Sequence, residues 1–148
     1  AIVDFDVHHG NGTQDIVKDD KRILFCSSFQ HPFYPFSGSE PSRDGIINVP
    51  VPAGTKGADY REMVKPWFAA IDVFKPQMIF ISAGFDSHAE DEMGQLFLVE
   101  SDYIWITEQL KTLAEKHCNG KIVSVLEGGY SLSALARSVV AHVKVLTG

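Results

Sequence analysis

The sequence predicts an α/β fold: an open, mostly parallel sheet in three layers, with helices on both faces. Three observations point to it. Short, β-branched apolar runs alternate with longer stretches in which apolar residues recur at helical spacing. Ile79-Phe80-Ile81 and Ile122-Val123-Ser124-Val125-Leu126 are almost continuously apolar, which suits parallel strands covered on both faces. No repeat, low-complexity tract or Gly/Ser/Pro-rich linker divides the 148 residues, so the elements belong to one unit.

Strands are expected, in order, over residues 1–5, 22–27, 46–49, 78–82 and 121–126. A helix is expected through Tyr60, Met63, Val64, Trp67, Phe68 and Ile71. Pro66 lies inside this pattern and either kinks the helix or opens a second segment. Tyr103, Ile106, Leu110 and Leu113 mark another helix, with Ser101 as its expected N-cap and Asn119-Gly120 as its stop. Leu132, Leu135, Val139, Val143 and Leu146 mark the buried face expected of the last helix. Two long loops remain. Residues 30–43 set Phe33, Tyr34 and Phe36 among Pro32, Pro35 and Pro41. Residues 83–99 are rich in Gly and acidic side chains.

The composition excludes several classes. Hydrophobic residues at 45% and charged residues at 22% exclude a disordered or collagen-like chain. No apolar run approaches the roughly 20 residues of a membrane-spanning helix, so no membrane partner is expected. Thirteen Lys and Arg against nineteen Asp and Glu leave a formal charge of −6 without a basic stripe, which argues against nucleic-acid binding. Cys26 and Cys118 lack zinc-site spacing and read as packed, reduced thiols, from which a cytoplasmic location is expected.

In an open parallel sheet, ligands bind beyond the carboxyl ends of the strands. The first strand runs into Asp4-Phe5-Asp6-Val7-His8-His9-Gly10. Extended backbone places Asp4, Asp6 and His8 on one side and Phe5, Val7 and His9 on the other. Such a group is either a hydrogen-bonded polar strand end or a metal site. The fourth strand ends near Asp86, and the fifth in Glu127-Gly128-Gly129-Tyr130. Asp6, His8 and Asp86 together would form a three-ligand metal site with positions open for water and substrate. Tyr130 would offer a hydroxyl to a developing oxyanion. His88 reads either as support for this site or as a cap of the next helix. Asp91 and Glu92 read as a solvated acidic loop in preference to a recogniser of cationic substrate. Glu127, His117 and His142 read as structural.

Residues 4–14 (DFDVHHGNGTQ), 82–88 (SAGFDSH) and 127–132 (EGGYSL), with Asn48-Val49-Pro50 and Pro32-Phe33-Tyr34-Pro35, resemble the zinc-dependent histone deacetylase family, most closely its class II and bacterial members. The motifs fall in family order across nearly the whole chain. The resemblance implies an arginase/deacetylase-like sheet, with zinc held by Asp6, His8 and Asp86 and an oxyanion donor at Tyr130. It also implies a K⁺ or Na⁺ site at Asp4, Asp6, His8, Ser27 and Ser28. Fe²⁺ or Co²⁺ could replace zinc in so oxygen-rich a set. The implied reaction removes acetyl from Nε-acetyl-lysine of proteins or, as the nearest rival, from an acetylpolyamine. A non-catalytic module that binds acetylated ligands or metal is the remaining reading. An arginase-like two-metal site lacks a ligand, because Gly10 stands where that pattern needs an acid. The family's general base is a tandem His pair upstream of the Asp-x-Asp-x-His strand, and His8-His9 is not that pair. Residues 1–148 are therefore expected to be the carboxyl-terminal part of a single deacetylase domain, inactive or nearly so alone. An apolar face left uncovered would then favour association between copies.

Overall fold

The computed structural model describes residues 1–148. Five strands and four helices follow in the order β1 (Ile2–Asp4), α1 (Asn11–Val17), β2 (Phe25–Gln30), β3 (Ile46–Val51), α2 (Gly57–Phe74), β4 (Ile79–Ala83), α3 (Glu100–Cys118), β5 (Ile122–Leu126) and α4 (Leu132–Thr147). The strands form one parallel sheet in the order β3-β2-β1-β4-β5. This is the predicted α/β class. No helix is long and apolar enough to cross a membrane.

The strand order reverses direction between β1 and β4. From β1 the chain steps to β2 on one side, and from β4 to β5 on the other. Right-handed crossovers then put α1 and α3 on opposite faces. Packing agrees. On one face, Val3, Cys26, Ile79 and Ile81 join Tyr60, Val64, Trp67 and Ile71 of α2 and Tyr103, Ile106 and Leu110 of α3 in the main core. On the other, Val17 at the end of α1 packs on Phe25 and Ile46. Each large side chain fully buried this way contributes about 1.5–3 kcal/mol.

Several expectations need correction. The second face is covered over β2, β3 and the end of β1, where Asp4 is buried, but not over β4 and β5. Phe80, Val123 and Val125, which share that face through the β4–β5 register, are 43%, 42% and 53% exposed. Within these 148 residues, the nearly continuous apolar runs of β4 and β5 are covered on one face only. β2 starts three residues later than expected and extends to Gln30, which is buried. α1 was not anticipated, because Val17 is its only buried residue and it shows no periodic apolar face. α2 runs unbroken through Pro66, whose ring lies on the exposed side while Tyr60, Val64, Trp67 and Ile71 face the core. α3 is not capped by Ser101. Asp102 accepts the Val99 N–H at 2.9 Å and the Arg61 Nε–H at 2.8 Å, so one buried carboxylate starts α3 and ties it to α2. α4 buries Ala134, Ser138 and His142, with Leu135 and Val139 only partly covered. Leu132 and Val143, expected in its buried face, are exposed.

Candidate metal centre

The reversal point of a parallel sheet opens a crevice at the carboxyl ends of its strands. Here β1 leads into Asp6 and His8, β4 into Asp86, and β5 into Gly128 and Tyr130. Regular pairing of β1 stops at Asp4, yet the alternation continues. Phe5 and Val7 are fully buried in the core, while Asp4, Asp6 and His8 line a cleft of about 420 Å³ with Ser82, Glu127, Gly128 and Tyr130.

One ligand atom from each of Asp6, His8 and Asp86 lies within 4.8 Å of the others. His8 Nδ1 is 2.9 Å from Asp6 Oδ1 and 3.3 Å from Asp86 Oδ2. The backbone orients both carboxylates. Asp6 Oδ2 accepts the Gly128 N–H at 2.9 Å, Asp6 Oδ1 accepts the His8 N–H at 2.8 Å, and Asp86 Oδ1 accepts the Val7 N–H at 2.9 Å. Asp86 Oδ2 remains, fully buried, with no backbone donor and with His8 Nδ1 3.3 Å away. A buried anionic oxygen is costly unless a cation meets it. Two glycines make room. A Cβ on Gly84 would collide with Asp6 Oδ2, and one on Gly128 with Asp86 Oδ2. The buried oxygen, the glycine cradle and the Asp₂His donor set fit a divalent cation with open positions.

Electrostatics follow from this crowding. The carboxylates of Asp6 and then Asp86, 2.9 Å and 3.3 Å from Nδ1, push the His8 imidazole up to about 10. Burial would raise the Asp6 carboxyl, but hydrogen bonds from the His8 side chain, the His8 amide and the Gly128 amide hold it below its usual value. Burial raises the Asp86 carboxyl and drives that of Asp4 well above the ordinary range.

The residues expected at a monovalent-cation site divide between the two faces of the sheet. Asp4 and Ser27 are register neighbours on the cleft side, and Asp4 Oδ1 accepts the Asp6 N–H at 3.1 Å. Ser28 points the opposite way and pairs its hydroxyl with Tyr60 Oη at 2.6 Å, so only its backbone can serve the cleft side. Tyr130 lines the cleft with its side chain 57% exposed. Removal from water, followed by the charges of Asp86 and Asp6, raises its phenol, which therefore keeps its proton at neutral pH.

Other residues were misread or missed. Asp91 is buried, not solvated. Its Oδ2 accepts the N–H groups of Tyr130 at 2.6 Å and Ser131 at 3.0 Å. His88 is buried against Tyr103 and accepts the Glu90 N–H, so it neither reaches the metal group nor caps α3. His9 leaves the group as the alternation requires. Its Nδ1 pairs with Ser37 Oγ at 2.7 Å, its Nε2 with Gln14 Oε1 at 2.8 Å, and its ring rests on Phe29. Phe33 stacks on His8 with ring centres 5.5 Å apart, and Tyr34 meets His8 edge-on at 6.1 Å. The aromatic residues between prolines were the available signal for this wall.

Comparison with known proteins agrees with the fold and the motifs. The histone deacetylase domain family matches residues 1–146. "Type-2 histone deacetylase 2" of Dictyostelium discoideum is 41% identical across 99% of this chain and 10% of its own length. "Probable deacetylase" of Archaeoglobus fulgidus is 42% identical across 89% of this chain and 39% of its own length. Among solved structures, the HDA15 HD domain superposes with a TM-score of 0.86 at 36% identity, over 98% of this chain and 43% of that one. Acetylpolyamine aminohydrolase from Burkholderia pseudomallei superposes with a TM-score of 0.87 at 24% identity, over 99% and 44%, and shares the fold. The chain thus spans less than half the length of these relatives, and it belongs to the histone deacetylase domain family.

Proposed function

We propose that this chain carries the metal-binding and oxyanion-stabilising part of a hydrolase that removes acetyl groups from Nε-acetyl-lysine. The observation that carries the proposal is the convergence of Asp6, His8 and Asp86, whose ligand atoms lie within 4.8 Å of one another, with Asp86 Oδ2 buried and bonded to no backbone donor. Zinc is the proposed metal, with Fe²⁺ or Co²⁺ as substitutes on a donor set of two carboxylates and one imidazole. When bound, such a cation polarises a carbonyl oxygen and lowers the pKa of water.

The chain's own residues do the rest. Asp6, His8 and Asp86 hold the cation, with Gly128 N–H fixing Asp6 and Val7 N–H fixing Asp86. Tyr130, protonated at neutral pH, donates its hydroxyl hydrogen to the acetyl oxygen as negative charge develops there. Phe33 and Tyr34 stand against His8 and supply apolar walls for the methylene stem of a lysine side chain. Asp4 and Ser27, with the Ser28 backbone, are proposed to hold K⁺ or Na⁺ behind the site. Neither cleft histidine matches the family's general base. His8 Nδ1 faces two carboxylates, and both nitrogens of His9 are bonded. The family resemblance puts the general base in a His pair upstream of Asp4, outside these 148 residues, and the isolated chain is therefore proposed to bind metal with little turnover.

The test is acetate release by the full-length protein from an acetyl-lysine peptide and from an acetylated polyamine. Peptide turnover that falls about 10²–10³-fold in Tyr130→Phe, with zinc affinity retained, supports the reading. Release from the polyamine alone would reassign the substrate, and release from neither would overturn the deacetylase reading.

A further inference from the structure

We propose that Asp91 is a positioning residue that sets the place of the Tyr130 hydroxyl. This inference rests on the oxyanion role given to Tyr130 above. The segment carrying Tyr130 has little to hold it by itself. Gly128 and Gly129 lack side chains, Gly129 sits at φ +141°, and the Tyr130 side chain is largely exposed. Ser131, the first residue before α4, makes no side-chain cap.

The segment is instead fastened at two points. On the near side, Gly128 donates to Asp6 Oδ2 at 2.9 Å, and the Gly128 carbonyl accepts the Phe85 N–H at 2.8 Å. On the far side, Asp91 Oδ2 accepts two consecutive backbone N–H groups, from Tyr130 and Ser131. Asp91 Oδ1 is taken by the Met93 N–H at 2.9 Å, so the carboxylate is spent on three backbone donors and is only 5% exposed. Its charge also lies at the N-terminal end of α4, where the helix dipole favours an anion. Gly129 is the pivot between the two fastenings. Releasing the Asp91 end would let the Tyr130 backbone swing while the metal ligands stay in place. A catalytic hydroxyl displaced by about an ångström costs on the order of 10²-fold in rate.

Amide hydrogen exchange and turnover together test the proposal. In the wild-type chain, the Tyr130 and Ser131 amides should exchange slowly despite the exposed side chain at Tyr130. Fast exchange there overturns the proposal without any variant. In Asp91→Ala, and more mildly in Asp91→Asn, these two amides should exchange about tenfold faster or more. Amides of β4 and zinc affinity should remain within threefold of wild type (~3-fold). In the full-length protein, Asp91→Ala should lower kcat about tenfold or more with KM held, and should cost less than about twofold in a Tyr130→Phe background. Equal losses in both backgrounds would make Asp91 a general structural residue and sink the proposal. A wild-type protein without turnover refutes the deacetylase reading, and the exchange measurements then decide the clamp by themselves.

Discussion

Gly128 donates its backbone N–H to Asp6 Oδ2 across 122 residues of chain, at 2.9 Å. The bond joins the end of β5 to the end of β1 although β4 lies between these strands. It is available because residue 128 has no side chain. A Cβ there would strike Asp86 Oδ2 and come within 2.7 Å of Asp6 Oδ2. Gly128→Ala should therefore push both carboxylates off their positions. Zinc affinity should fall about 10–100-fold, as for loss of outer-sphere support of a ligand, in competition titrations with a chromophoric chelator. Unchanged affinity would mean that these carboxylates do not hold the metal.

Metal binding should release a proton at neutral pH. Asp6 first, and Asp86 second, raise His8 to about 10, so the metal-free imidazole is protonated at pH 7. Only the neutral ring binds a cation. Affinity should rise as pH climbs toward 10, and calorimetry in buffers of differing ionisation enthalpy should report about one proton released per zinc at pH 7. No buffer dependence would show that His8 is not a ligand.

The sequence carries the centre better than its supports. Asp6, His8 and Asp86 follow from strand alternation and from the rule that ligands gather at carboxyl ends, both short-range or generic regularities. Asp91 was misread because its acceptor role depends on amides 39 and 40 residues away, which leave no local trace. Asp102 displaced Ser101 as the start of α3 for a related reason: Arg61 of α2 holds the carboxylate in place. On α4, leucine and valine spacing suggested one face, while the buried face is Ala134, Ser138 and His142. Small and polar residues won there because His142 bonds to Thr107 Oγ1 at 2.7 Å and to Ser124 Oγ at 2.8 Å, which draws the helix close to α3 and β5.

His142 should make stability fall in mild acid. Burial depresses its imidazole to about 4, below the 6.5 of an unfolded histidine. Above pH 6.5 both states are neutral and the group contributes nothing. Between 6.5 and 4 the unfolded chain binds the proton and the folded one does not, so stability drops as pH falls, by up to about 3 kcal/mol. The raised Asp4 and Asp86 act with the opposite sign in acid, so the effect is read as a difference between proteins. Chemical denaturation of wild type and His142→Gln at several pH values should show a smaller loss between pH 6.5 and 4 in the variant. Parallel curves would contradict the assignment.

The uncovered half of the sheet should drive self-association. β5 is an edge strand with unpaired backbone groups, and Phe80, Val123 and Val125 present a contiguous apolar strip on its open face. The exposed Leu132 and Val143 of α4 add further apolar surface. Nothing charged interrupts the strip: its in-register neighbours on β4 and β5 are apolar, apart from Ser82 beside Val125. Light scattering of the isolated chain should show a mass that rises with concentration. Val123→Lys with Val125→Lys puts two charges on the strip and blunts the edge. The double variant should be monomeric with its thermal midpoint preserved, because both side chains already face solvent and fill no core. A wild-type chain that stays monomeric at all concentrations would show that this face is tolerated in water. Loss of folding in the double variant would show that the two valines do pack in the native chain.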